Sequence, residues 1–445
     1  MDSNKLSFYI MIEWTSMSKA LKDLKNYILL WSTQSLSQLG SSMTSFALSI
    51  WIYEKTGSAL QSAGLLVSNY APYVLVSIFA GALSDKWNKK KTMLICDLIA
   101  AFGTIVTLIL IMNNLLEPWH MYVINAVNGL MNTFQQPASE VAMSVITPKQ
   151  YYHNTSGMRT FSRSLITILN PLLSTSIYSF FGIKIVCIID LITFAIAFLT
   201  LLLFVNIKET ISETKNTDTL TLIKEGGQYL KSHQLILNII LFLSGINLVA
   251  SAFDTVVVPL VLSKTGGNEK ILGIVTSFSG IAMLVGSLLS SISKEPKNKA
   301  KAIYNALFIS MLFENFMLSF SDSPVIWCIG QILGWLPIPF FNASYDVLFN
   351  TTIPENMRGR VYSYRNSLQF FTIPIGNLLG GFMVDEIFEP FMAKQDASSL
   401  LCRLFGIGKG SGAAMSMFVL GIVGVSVCLL FKNRIIGNNN EDKVQ

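Results

Sequence analysis

Four carboxylic acids stand inside apolar stretches of this chain: Asp97, Asp190, Asp254 and Glu314. An ionisable group within a membrane helix costs about 2.5 to 3.5 kcal/mol on insertion scales, so each needs a partner, a wet cavity or a proton. Asp254 has the most chemical company. Ser244, Asn247 and Ser251 precede it at steps of three or four, which sets these polar groups along one helical face. A carboxyl in an apolar but wetted site can exchange a proton, and a hydrogen-bonded packing acid is the competing reading. Asp97 lies about 8 Å inside its apolar run by helical rise, within reach of the interface or of Lys89 to Lys91. Asp190 stands near the end of its run as a capping or helix-pairing acid. Glu314 is deeper, as a buried pair or a proton site.

The uncharged candidates follow the same periodicity. Gln34, Gln38 and Ser42 recur every four residues, Asn125, Asn128 and Gln135 mark a second stretch, and Gln331, Trp335 and Asn342 a third. Polar groups on one face of an apolar helix either bond a neighbouring helix or line an aqueous cavity. With Trp335, Phe340 and Phe341 beside them, a mixed pocket suits an amphipathic organic molecule of moderate size. A phosphate or sugar acid is a poor fit, because no Arg or Lys pair stands in the middle of a span. Arg159 and Arg163 are the nearest basic residues, with Glu140 as their expected partner.

The elements that must hold these residues are membrane helices. The chain has 445 residues, 51% hydrophobic and 13% charged, with a mean hydropathy of +0.52. Soluble domains carry about 25% charged residues, so a cytosolic enzyme and a disordered chain are both excluded. At about 20 residues per span, there is room for roughly twelve helices. Apolar windows place them near 27–52, 60–83, 92–112, 118–138, 160–180, 183–205, 235–262, 271–292, 302–320, 324–345, 362–384 and 412–431. The five cysteines and three histidines are scattered without metal spacing, so neither a metal nor a cofactor is expected. No phosphate loop of the G-x-x-x-x-G-K-[ST] type occurs, which argues against a nucleotide-driven pump. A membrane enzyme would need a clustered nucleophile or metal set, and a receptor would usually add a soluble domain.

Charge sets the orientation. If the N-tail, even loops and C-tail share one side, that side holds 25 of the 32 Lys and Arg residues. The other holds Lys55, Lys184, Lys264, Lys270, Lys394, Arg403 and Lys409. Both termini are therefore expected in the cytoplasm, and the net charge of +6 needs no nucleic-acid partner. The expected division is an N-terminal tail (1–25), a six-helix bundle (26–205), a cytoplasmic linker (206–234) with a short helix at Thr221 to Lys231, a second six-helix bundle (235–432) and a tail (433–445). Met17 opens an amphipathic lead-in and is a candidate native start. The two bundles repeat: Ser139, Pro148 and Pro171 correspond to Ser344, Pro354 and Pro374 at offsets of 205, 206 and 203 residues. Parallel repeats of this kind bind substrate at their interface and rock about it.

The loop after the second span reads Gly81-Ala-Leu-Ser-Asp85-Lys86-Trp-Asn88-Lys89-Lys90-Lys91. Its Gly-x-x-x-Asp-Lys-x-x-Lys-Lys spacing resembles the signature loop of the major facilitator superfamily, with Asn88 where that pattern usually has Gly. Gln34-Ser-Leu-Ser-Gln38-Leu-Gly40, Thr56-Gly-Ser-Ala59, Ile189-Asp190 and Arg358-Gly-Arg360-Val361 are similar to the macrolide-efflux and enterobactin-exporter branch. So is Phe388-Glu-Pro-Phe391 with Gly406-Ile-Gly-Lys-Gly410, and the likeness covers about 25 to 435. The resemblance implies an all-α membrane protein of two parallel six-helix repeats, Gly81, Asp85, Lys86, Lys89 and Lys90 forming the latch between halves, and Asp254 turned toward a central cavity. It puts the helix of Glu314 on the periphery. It implies a monomer in the bacterial plasma membrane, touching lipids and exporting a small amphipathic molecule in exchange for protons. Uptake or sodium coupling of a small organic solute stays open as the alternative. Pro171, and Pro374 with Gly376, are candidate flex points, because Pro removes a backbone donor and small residues permit sliding contact; plain packing kinks are the competing reading.

Overall fold

The computed structural model describes residues 22–207, 227–354, 361, 365 and 368–437. Met17 and most of the N-terminal tail, the linker from 208 to 226, Arg358, Arg360 and most of the C-terminal tail lie outside the described residues.

The described chain is all-helical: α1 (Lys25–Thr56), α2 (Ala59–Lys86), α3 (Lys89–Met112), α4 (Pro118–Ile146), α5 (Tyr152–Leu203), α6 (Gln234–Lys264), α7 (Glu269–Ile292), α8 (Lys299–Ser319), α9 (Pro324–Trp335), α10 (Ile338–Thr352), α11 (Thr372–Phe382), α12 (Leu400–Phe405) and α13 (Ser411–Ile436). Helices satisfy every internal backbone group without water, which is what hydrocarbon demands. Eight helical stretches among the described residues are long and apolar enough to cross a membrane. The chain is a multi-pass membrane protein. α1 and α4 have the length but carry Gln34, Gln38, Asn125, Asn128 and Gln135, and are too polar to pass the same test.

Local residues set the boundaries. Asn88, Asn268 and Asn298 cap α3, α7 and α8 by accepting from the backbone N–H of Lys91, Ile271 and Lys301. Asn88 thus has a reason of its own for replacing the glycine of the signature loop. Pro118 and Pro324 open α4 and α9, where a missing N–H costs nothing. The expected fifth and sixth spans form one element broken at Gly182 (φ 74°, ψ 175°). The expected tenth span is divided into α9 and α10 at Leu336 and Pro337. Of the short helix expected at Thr221 to Lys231, residues 227–232 are helical and the rest lies outside the described residues.

Two features were not legible beforehand. α11 runs into a π-helical turn, Met383–Phe388, and then a last α-turn, Glu389–Met392. The loop that follows is organised by Glu389, whose Oε1 accepts from the N–H of Gly410 at 2.8 Å and of Ala413 at 3.3 Å at the start of α13. Gly410 has φ +92°, a conformation that favours glycine, which explains the glycine-rich Gly406 to Gly410 stretch opposite Phe388 to Phe391.

The buried side chains divide along the sequence. The largest cluster draws on residues 230–436 with Ile50 and Ala59, and three smaller ones on residues 30–207. Contacts between the two sets run through α2 with α11 and α5 with α7.

Pro374 sits in the first turn of α11, and the helical run 368–392 is interrupted at Phe371, next to the Phe370 carbonyl that the missing N–H of Pro374 leaves without its helical donor. A Cβ on Gly376 would collide with Ser251 Oγ and the Leu248 carbonyl of α6. Pro171 is buried within α5, and its carbonyl accepts from Thr175 Oγ1 at 2.7 Å; a Cβ on Gly273 of α7 would lie 2.9 Å from it. Both elements are tight helix crossings. Overpacking such a crossing costs about 1 to 3 kcal/mol. Gly376→Ala is expected to lower the unfolding temperature of the detergent-solubilised protein by several degrees, whereas Gly157→Ala, whose Cβ would meet nothing within 4 Å, leaves it unchanged or raised.

Candidate functional site

The buried acids are answered in different ways. Asp97 of α3 accepts from Gln34 Nε2 of α1 at 3.3 Å and from Gln135 Nε2 of α4. It is 7% exposed and ties three helices together, so its partners are the two amides and not the lysine cluster. Asp190 accepts from Ser41 Oγ at 2.9 Å and Thr104 Oγ1 at 3.0 Å, again joining three helices. Glu314 of α8 accepts from Trp335 Nε1 of α9 at 2.9 Å, with Gly334 leaving room for its carboxyl.

Asp254 differs. From Ser251 to Leu262 every residue of α6 is buried except Asp254, which is exposed. Among the described residues it has no hydrogen-bond or ion partner. Tyr70 of α2, 40% exposed, and Glu314 both lie within electrostatic reach of it. An exposed carboxyl without a protein partner among the described residues can meet water, a proton or a polar part of a solute.

The remaining candidates scatter. Gln38 and Asn342 are exposed and Gln331 is buried. Asn128 Oδ1 is buried without a hydrogen-bond partner among the described residues. The polar face before Asp254 is spent on the helix next to it: Ser244 Oγ donates to the Leu368 carbonyl at 2.9 Å and Asn247 Nδ2 to the Gln369 carbonyl at 3.0 Å. Trp335 is held by Glu314. Glu140 is exposed and forms no ion pair among the described residues, so the pairing expected with Arg159 and Arg163 is absent there.

Of the signature loop, Gly81, Asp85 and Lys86 end α2, and their side chains lie outside the described residues. Lys89 is buried and donates to the Trp87 carbonyl at 3.0 Å. Lys90 donates to the carbonyls of Leu202 and Val205, at 3.0 and 2.7 Å, at the C-terminal end of α5.

Sequence reasoning missed a group of contacts at the end of the bundle opposite the described termini. Asp385, in the π-helical turn after α11, accepts from Ser58 Oγ at 2.6 Å, Ala59 N at 3.0 Å and Leu60 N at 2.8 Å at the start of α2. Tyr53 OH and Ser263 Oγ lie 2.8 Å apart between α1 and α6. The available signals were an acid near the end of the eleventh apolar window and the capping-type Thr56-Gly-Ser-Ala59 stretch, 326 residues away from it.

The family profile of the Major Facilitator Superfamily matches residues 30–377. Macrolide efflux protein A of Streptococcus pyogenes is 23% identical over 370 residues, 82% of this chain and 90% of that protein. Macrolide efflux protein A of Enterococcus faecalis is 22% identical over 326 residues, 72% and 99%. Among solved structures, the nucleoside transporter NupG aligns with a TM-score of 0.69 at 14% identity, covering 92% of this chain and 98% of that one. A bacterial homolog to the human lysosomal transporter Spinster, in an inward-facing and unoccupied conformation, aligns with a TM-score of 0.64 at 13% identity, covering 93% and 98%. With a membrane-helix fold, a profile match over most of its length and transporters as relatives, the chain belongs to the major facilitator superfamily and is a transporter, not an enzyme.

Proposed function

We propose that this protein is a secondary transporter that exports an amphipathic organic compound, of drug or natural-product type, by alternating access in exchange for protons. The observation that carries this reading is Asp254, a lone exposed carboxyl in an otherwise buried stretch of α6, facing Tyr70 from the other set of helices. A site built on Asp254, with Tyr70 and Glu314 in reach and no Arg or Lys pair in the middle of a span, suits a mostly apolar cargo. The macrolide-efflux relatives support export of such a compound. In this reading the helices before 207 and after 230 are two six-helix halves, twelve spans in all, with both termini in the cytoplasm of a bacterial cell.

Asp254 is the proposed coupling residue, with Glu314 behind it. Gln34, Gln38, Asn128, Gln135, Asn247, Gln331, Trp335 and Asn342 are the proposed cavity or cavity-supporting residues.

Expression in a drug-sensitive bacterial host is expected to lower the accumulation of a macrolide or a lipophilic dye several-fold, and a protonophore to abolish the difference. Unchanged accumulation across a broad panel of such compounds would overturn export of this cargo class. Asp254→Asn is expected to cut pH-gradient-driven efflux at least tenfold in proteoliposomes while leaving downhill exchange of the same compound intact. Full gradient-driven efflux by that variant removes Asp254 from the coupling role.

A further inference from the structure

We propose that Asp385 is the latch that holds the end of the bundle opposite the termini closed, and that breaking its bonds to the start of α2 is the step that opens that end. The proposal rests on the transporter reading above, since a closed end has meaning only for a protein that alternates.

A helix N-terminus presents unsatisfied N–H groups and the positive end of the helix dipole. α2 begins two residues after the left-handed Gly57, and its Ala59 and Leu60 N–H groups both point at the Asp385 carboxylate, as does the hydroxyl of the intervening Ser58. Three donors on one carboxylate form a charge-assisted set, about twice as strong per bond as neutral pairs. The donors and the acceptor belong to different sets of helices, so no internal requirement of either set explains the contact. When the two sets part at this end, the N-terminus of α2 and a carboxylate are released together.

The geometry is built for this contact. The π-helical turn Met383–Phe388 inserts an extra residue into the helical repeat and re-aims the side chains that follow. One turn earlier a Cβ on Gly381 would lie 2.6 Å from Leu60 Cα and 3.0 Å from the Ala59 carbonyl, so only glycine lets the two backbones meet there. The Tyr53–Ser263 contact makes a second link between the same ends. Tyr178 of α5 donates to Glu54 of α1, and Glu269 of α7 lies within hydrogen-bonding reach of Glu54. The Tyr178–Glu54 bond lies within one set, so among the described residues the hydrogen bonds that cross the seam here are the Tyr53–Ser263 contact and the three accepted by Asp385.

The test uses spin labels at Asn113→Cys and Ser398→Cys, both exposed at this end on opposite sides of the seam, in the full-length protein in lipid nanodiscs. The distance distribution is expected to be mainly short in the parent. Asp385→Asn is expected to move the ratio of short to long distances about tenfold toward long, and Asp385→Glu to restore much of it. Ser58→Ala, which removes a donor from the other side, is expected to shift it in the same direction by a smaller factor. Combined with Asp385→Asn it is expected to add little. An unchanged distribution in Asp385→Asn, or in Ser58→Ala should Asp385→Asn not fold, overturns the latch; so does full additivity of the two. Because the distances are read without cargo, a latch that responds as expected while none of the tested compounds is moved would count against the proposed cargo class and leave the latch standing.

Discussion

A charge or an open backbone group taken into hydrocarbon must be answered inside the protein, and the arrangement of this chain follows from how each is answered. Asp97 is met by two amides, Asp190 by two hydroxyls and Glu314 by an indole. Each answer comes from a neighbouring helix, so each acid also fixes how its helices cross. Asp254 departs from this rule, with no partner among the described residues. A group that the fold leaves unanswered is left to water, a proton or a solute, which is why Asp254 is the acid proposed for coupling.

The same constraint explains what was legible in the sequence. Apolar length is compositional, so the membrane class and most of the helices follow from counting. Charge asymmetry is likewise compositional and gives the expected orientation. Partnership is not, because it depends on which helix faces which. Gln34 and Gln135 are 101 residues apart and read as two unrelated polar positions, yet both are spent on Asp97. Ser244 and Asn247 have the spacing of a cavity face, but the carbonyls of Leu368 and Gln369, just before α11, take their donors. The π-helical turn that presents Asp385 has no mark in residue type, since Met-Val-Asp-Glu-Ile-Phe would serve an α-helix equally well. The break at Gly182 falls in the gap that hydropathy left between 180 and 183, whereas the division of α9 from α10 illustrates a related limit: hydropathy sees one apolar run and not the N–H groups that Pro337 and Pro339 take out of it.

Close approach is the second condition on such a fold. Hydrocarbon gives no hydrophobic drive between helices, so association rests on packing and on hydrogen bonds that small residues allow. Gly376 and Gly380 set α11 against the carbonyls of Leu248 and Ala252 in α6. Gly273 and Gly280 set α7 against Pro171 and Ile168 in α5. Contacts of this kind are made by backbone and short side chains, which change little in shape when one helix tilts on another. Pro171 at such a crossing fits a bearing surface better than a hinge, because its helix continues through it.

Helix ends provide further answers. At the end opposite the termini, α2 and α13 present their N-terminal N–H groups, and carboxylates meet them: Asp385 at α2 and Glu389 at α13. At the termini end, α5 presents its last carbonyls, and Lys90 meets them. Each charge matches the sign of the dipole it faces. Lys90, one of the lysines in excess on one side of the sequence, thus also satisfies a helix C-terminus, as Lys264 does for the Phe405 carbonyl at the other end, while Asp385 and Glu389 satisfy N-termini. Within one set of helices such a cap is permanent structure, as with Glu389 and Lys90. Between the two sets the same chemistry becomes reversible, because the α2 N-terminus can take its hydrogen bonds from water when Asp385 withdraws. A cap that crosses the seam therefore has a finite cost of release, set by one carboxylate and three donors, where a packed apolar seam would have to expose its whole area at once.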